Sequence, residues 1–437
     1  MVTLLLEPRN APNKAFLKIK PNRTRIEDCK TDIIQFLDSI TKKKSEVFLK
    51  SLATVKVFFI CFLFCLPLLL SSCSNSDNNS GIISSDPNCN QIVNIPDANF
   101  KAKLLSATGS GNNAVASNLA GFVCIIDTNG DGIIQVCEAE NISSLTVDNS
   151  NITSMEGLLS FRNLKSISCR NNQITTLDLS SLKQLQNVVC DNNNLNTLNV
   201  QGLNNLKVLW CYRNQLTSLN LSSLPSLESL YFEFNKISTL NISSSNAIND
   251  LRGRYNLLTT LTVSHLKNLN QLYISDNLLK SLDVKDLANL TSLQCTSNNM
   301  TTLNTSNCVN LMDISCDQNA LTTINLSNCS KLNYLRCNNN KLITINLNGL
   351  AALQNLDLSN NLLSSLDIRY CPLLVYLSIN VNNLQTLVLK NGSNLNDYYF
   401  GINPNLSSIC CDPSELTQVQ NQVNFFGYNC VVSTNCF

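Results

Sequence analysis

At 437 residues the chain is long enough for two or three domains. Only 14% of its residues are charged, and 31 Lys and Arg against 30 Asp and Glu leave a formal net charge of +1. The first 72 residues hold 12 of the bases and 6 of the acids, so the remainder is mildly acidic and offers no basic stripe for nucleic acid.

Residues 1–72 read as an N-terminal extension plus an export signal. Lys42, Lys43, Lys44, Lys50 and Lys56 precede an apolar run from Val57 to Leu70. Its 14 residues are short for a membrane span and suit the core of a signal peptide. The run closes on Leu70-Ser71-Ser72-Cys73, which resembles a bacterial lipobox. The resemblance implies cleavage before Cys73 and lipidation of its thiol, so that an acyl chain rather than a transmembrane helix holds the mature chain. Ser74 follows, with no acidic residue of the kind that retains such proteins at the inner membrane. An outer-membrane lipoprotein is therefore expected, with the periplasmic or outer side left open. A cleaved secretory signal with an incidental Cys is the alternative. Residues 73–88 read as a polar tether.

Residues 89–141 read as an N-terminal cap. Asp97 can cap a helix over 98–106, with Phe100, Leu104 and Leu105 on one face. A Gly/Ser/Asn-rich insert, 108–117, follows. Next comes DTNGDGIIQVCE, from Asp127 to Glu138, which fits the EF-hand loop pattern at every fixed position. Asp127, Asn129 and Asp131 would offer side-chain oxygens and Ile133 its carbonyl. Gln135 would act through a water and Glu138 would close the site, bidentately. The loop resembles the lone EF-hand-like or dockerin-type loops that open many bacterial leucine-rich repeat proteins. The resemblance implies a structural calcium ion that orders the cap. A calcium-gated switch normally needs paired hands. An ion-free Asp/Asn/Gly turn is the other reading.

From Leu164 to Cys410 the sequence repeats every 21 residues without a slip. Asparagine marks it, at Asn172, Asn193, Asn214, Asn235, Asn256, Asn277, Asn298, Asn319, Asn340, Asn361, Asn382 and Asn403. A leucine opens each unit, at Leu164, Leu185 and onward, with Ile248 the one substitute. Ile142, Leu145 and Val147 begin a leading coil one residue longer. This spelling identifies the chain as resembling leucine-rich repeat proteins in their short bacterial form. The fold class implied is a strand-dominated α/β-type solenoid. It is a right-handed superhelix with a parallel β-sheet on the concave face and an irregular or short extended convex side. About 13 coils are expected over 142–409, with a Cys-containing cap over 410–437. At about 4.8 Å per coil, twelve coils make an arc on the order of 55 Å. In the family, the buried Asn bonds backbone groups of its own and the next coil, forming a ladder.

Twenty cysteines in an exported chain would ordinarily suggest a disulfide framework. The repeat assigns most of them to the core instead. Cys169, Cys190, Cys211, Cys295, Cys316 and Cys337 share one inward slot, and Cys308, Cys329 and Cys371 another. There they act as small buried hydrophobes. Cys89, Cys124 and Cys137 near one end, and Cys410, Cys411, Cys430 and Cys436 near the other, could staple the caps, in pairings the sequence leaves open.

Function on such a scaffold belongs to the positions that vary. Numbering coils from Leu164, the first presents only Ser166, Ser168, Arg170 and Asn171 to the concave side. The third to sixth differ. Trp210, Tyr231, Arg252 and Tyr273 share one slot in successive coils, flanked by Tyr212, Arg213, Glu233, Phe234, Arg254 and Tyr255. Later coils revert to small polar residues, broken by Tyr334 with Arg336, Tyr376 and Tyr399. Trp, Tyr and Arg anchor interfaces and also stack on sugar rings. The expected role is non-catalytic recognition of a protein or glycan partner through this patch. A rigid spacer or adhesive layer without a privileged patch is the alternative. An enzyme comes third: Glu233 with Asp250 is the one glycosidase-like pair, and an open arc encloses no pocket.

Overall fold

The computed structural model describes residues 87–435 apart from 112, 113, 394 and 396. The apolar run and Cys73 lie outside the described residues. One sheet of fourteen strands runs the length of the described chain. Its strands after Ile142–Thr146 are three residues long and pair parallel and in register, as in Val208↔Ser229, Leu209↔Leu230 and Trp210↔Tyr231. The middle residue of each points inward and is buried, while its neighbours are mostly half-exposed, as strand alternation requires. The convex side carries short extended pieces in four small parallel sheets, such as Ser281–Asp283, Thr302–Asn304 and Thr323–Asn325.

The asparagine ladder explains how each bend stays satisfied. Asn256 Nδ2 donates to the carbonyls of Phe232 (3.0 Å) and Gly253 (3.3 Å), and its Oδ1 accepts from the Ile237 amide (3.0 Å). The same pattern recurs from Asn172 to Asn403. The neighbour engaged is the preceding coil, which corrects the expectation of the next one. The chain turns back into the Asn from the strand before it, so its amide reaches the edge already laid down.

The residue before each ladder Asn adopts a left-handed backbone, from Asn171 (φ 53°) to Ile402 (φ 54°). Twelve successive coils repeat it with Asn, Arg, Phe, Tyr, Asp, Ser, Gln, Val and Ile in that place. Non-glycine residues there cost on the order of 1–3 kcal/mol each, and persist because the bend over-determines them.

All nine cysteines of the two inward slots are fully buried free thiols. Burial pushes the thiols of Cys211 and Cys308 up to about 12 and that of Cys371 to about 11. In the first slot the row also carries Phe232 and then Gly253. A Cβ on Gly253 would stand 2.1 Å from the Phe232 ring, so the glycine is there to admit the ring.

The ends close differently. The helix Ala98–Leu105 buries Phe100 and Leu104. Asp97 caps it at Phe100 N (2.9 Å), and its other oxygen takes the amides of Thr153 (2.8 Å) and Ser154 (3.0 Å). Cys89 pairs with Cys137. The Gly/Ser/Asn-rich insert ends in the strand Ala116–Asn118. It pairs antiparallel with Ile142–Thr146 and covers the open edge of the sheet. At the other end the helix Leu416–Phe426 buries Val419 and Val423, and Phe426 lies over Gly401. The strand Val431–Ser433 extends a convex sheet beside Ser408–Cys410, and Cys410 is disulfide-bonded.

Candidate functional site

The concave strands of coils three to six bring the patch together as two rows. In the first, Trp210 stacks on Tyr231 with ring centroids 5.0 Å apart and planes parallel. Arg252 then places its guanidinium 4.4 Å from the Tyr231 centroid and 5.0 Å from that of Tyr273. Parallel strands about 4.8 Å apart force this contact between residues one coil apart. The row is also pinned by polar bonds. Trp210 Nε1 donates to Ser229 Oγ (3.2 Å), Tyr231 Oη donates to Asp250 (2.6 Å), and Arg252 bonds both Asp250 oxygens and Gln271.

The second row sits on the left-handed positions. Phe234 stacks on Tyr255 at 4.5 Å, and Arg213 lies 5.2 Å over Phe234. Both rings stay exposed, at 43% and 45%. Large aromatics held exposed on strained backbone are not explained by packing.

Between the rows runs a polar stripe of Tyr212, Glu233 and Arg254. Tyr212 Oη accepts from Arg170 (3.0 Å), and Arg170 Nε pairs with the buried Asp191 at 2.9 Å. Arg170, which looked bland in the sequence, thus fixes the near end of the stripe. Burial raises the Glu233 carboxyl above its ordinary value, offset by Arg252 and Arg254. Asp250, the other half of the glycosidase-like pair, is committed to Tyr231 and Arg252. The only histidine, His265, is half-buried on the convex side with Nε2 3.0 Å from the Ile242 carbonyl.

The Asp127–Glu138 loop is wound on its own amides. Asp127 accepts from Gly130 (2.8 Å) and Gly132 (2.9 Å), and Asp131 from Ile133 (2.8 Å) and Gln135 Nε2 (2.7 Å). Gly130 and Gly132 have φ of +73° and +75°, the turn the pattern demands. Glu138 is buried. One oxygen takes Thr128 N and Oγ1, and the other takes the Gln135 amide in a capping box for the helix Val136–Glu140. Oxygens of Asp127, Asn129 and Asp131 with the Ile133 carbonyl suit a hard cation in chemistry. Among the described residues no three acidic, Cys or His side chains converge as a metal cage.

Neither a protein-family model nor a curated relative matches the chain. Solved structures do. The functional domain of InlJ from Listeria monocytogenes, which includes a cysteine ladder, is 27% identical over 74% of this chain and 75% of that one, with a TM-score of 0.57. A leucine-rich repeat protein of Leptospira interrogans is 24% identical over 67% of this chain and 84% of that one, at a TM-score of 0.51. Together with the sheet and the asparagine ladder, these likenesses establish the fold: a strand-dominated leucine-rich repeat solenoid with its parallel sheet on the concave side.

Proposed function

We propose that the chain is a non-catalytic recognition protein whose concave face, over coils three to six, binds a macromolecular partner. The observation that carries this reading is the pair of aromatic rows. Trp210, Tyr231, Arg252 and Tyr273 form one continuous stack, and Phe234 and Tyr255 a second beside it. The residue types are those that dominate binding energy, and the rows are pre-organised, so little side-chain freedom is lost on contact. Two aromatic rows with a polar stripe between them offer the breadth that suits a protein better than a glycan. The test is capture from host extract and from a glycan array by the wild-type chain and by Trp210→Ala with Tyr231→Ala. A protein captured by the wild type and lost in the double variant supports the patch; equal capture of that protein by both supports the rival spacer reading.

Two further parts belong to this proposal. On this reading the lipobox-like Leu70–Cys73 would carry the acyl anchor of an outer-membrane lipoprotein. Palmitate labelling is then lost in Cys73→Ser, and its persistence removes the anchor. The Asp127–Glu138 loop takes calcium through Asp127, Asn129, Asp131 and the Ile133 carbonyl, with Gln135 acting through a water and Glu138 closing the set. The ion supplies charge balance to the loop and thereby orders the cap. Chelation lowers the melting temperature of the chain; an unmoved melt removes the ion.

A further inference from the structure

We propose that coils eight to eleven carry a second site on the concave face, sharing Arg254 with the patch above: a slot that takes one pyranose ring of an oligosaccharide. Tyr334 and Tyr376 occupy the same strand position two coils apart, with the short Asn355 between them in register. Strands about 4.8 Å apart set the two tyrosines about 9.6 Å apart. In coils three and four the aromatic residues are consecutive, and their rings close on each other at 5.0 Å. Skipping one coil leaves a gap instead. The cavity there measures about 230 Å³ and is lined by Tyr334, Arg336, Asn355, Asp357 and Tyr376.

The width selects the ligand. Two carbon contacts of about 3.5–4 Å leave roughly 2 Å for the body of whatever enters. A planar aromatic would lie slack in that space, whereas a puckered saccharide ring fills it. Both walls are braced. Arg336 bonds Tyr334 Oη and holds its guanidinium 5.3 Å from that ring, and Tyr376 is backed by Tyr399 at 6.0 Å. The floor offers an amide and a carboxylate, Asn355 and Asp357, and the Ser359 amide fixes the latter at 3.0 Å. Planar acceptors beside aromatic walls are what adjacent ring hydroxyls need.

A second observation points the same way. Arg336 also borders a neighbouring cavity of about 360 Å³ that runs back toward coil five. On its wall Asp317 is only 6% exposed, and its Oδ1 has no hydrogen-bond partner in the protein. Asn338 Oδ1 in the next coil and Arg254 Nε at the far side are likewise buried and unpartnered. Burial pushes the Asp317 carboxyl up to about 6, with Arg336 partly offsetting it. Native structures seldom leave such groups unsatisfied. Hydroxyls of a saccharide leaving the slot would donate to Asp317 and accept from Arg254. The ligand class is thus an uncharged oligosaccharide of at least two rings.

The test is calorimetric titration of the full chain with hexasaccharides of glucose, mannose and N-acetylglucosamine. At least one is expected to bind. Asn355→Tyr makes the aromatics consecutive and fills the slot without touching the core, so it is expected to abolish binding while the unfolding midpoint holds. Asp317→Asn is expected to weaken binding about 10-fold. Trp210→Ala with Tyr231→Ala leaves saccharide binding unchanged, which keeps this site separate from the patch proposed above. No heat of binding from any of the three at about 10 mM overturns the proposal. So does binding that survives Asn355→Tyr or disappears with Trp210.

Discussion

Gly253→Ala probes the packing logic of the inward slot most sharply. The new methyl carbon would lie 2.1 Å from Phe232 Cζ and 2.6 and 2.7 Å from the two Cε atoms. Carbon atoms in contact sit about 3.5–4.0 Å apart, so the ring must withdraw by about 1.5 Å. Phe232 is fully buried in the core. The expected cost is about 3 kcal/mol, the upper part of the range for overpacking. Phe232→Cys alone empties the slot opposite a glycine and costs about 3 kcal/mol for the lost ring. Combined, the two substitutions recreate the small-residue packing of Cys169, Cys190 and Cys211 in the coils before. The double variant is therefore expected to be about 2 kcal/mol more stable than the sum of the single effects. The assay is a urea denaturation cycle over the four proteins. Strictly additive losses would show that the ring and the glycine do not share the space, and would refute the reasoning.

Two other outcomes follow from the same structure. Asn256→Ala leaves the Ile237 amide without its partner, while the Phe232 and Gly253 carbonyls keep Asn235 and Asn277; with about 1–3 kcal/mol for a buried orphan, a loss of about 2 kcal/mol is expected in thermal or chemical unfolding. Burial acts to raise the Asp97 carboxyl, but its bonds from Thr153, Phe100 and Ser154 win and hold it at about 2 against an ordinary 3.8. A depressed acid stabilises the fold above its unfolded value and loses that contribution as pH falls through its folded one. The window is thus pH 4 to 2, and with solvent screening of this half-buried group the amount is about 1 kcal/mol. Asp97→Ala should flatten stability over that window, read from melting curves; an unchanged slope would remove Asp97 as the link between helix and first coil.

The solenoid was legible because its physics repeats. Inward leucines and the ladder Asn must recur at one spacing, so twelve coils spell the same answer. What the sequence hid were positions where backbone geometry recurs and residue type does not. The left-handed place before each Asn accepts Arg213, Phe234, Val381 and Ile402 alike, so no glycine signal marks it. Ala116–Asn118 has no strand propensity and becomes a strand only because a sheet edge lies beside it. The helix Leu416–Phe426 did carry a signal, in Leu416, Val419 and Val423 spaced for one face before Gly427, but its glutamines and asparagines diluted it. In the patch, adjacency was readable from the period. That Tyr334 and Tyr376 flank a gap followed from the same period, but needed the cavity to become visible.

The central claim is that the two aromatic rows bind. An equilibrium titration of a captured partner against the wild-type chain and Trp210→Ala with Tyr231→Ala tests it, with urea midpoints measured beside each curve. Two anchors at about 2 kcal/mol apiece predict a loss of affinity on the order of 10³-fold, with the midpoint displaced only by the lost ring stack, about 1 kcal/mol. Affinity within about threefold of wild type at the same stability would contradict the account.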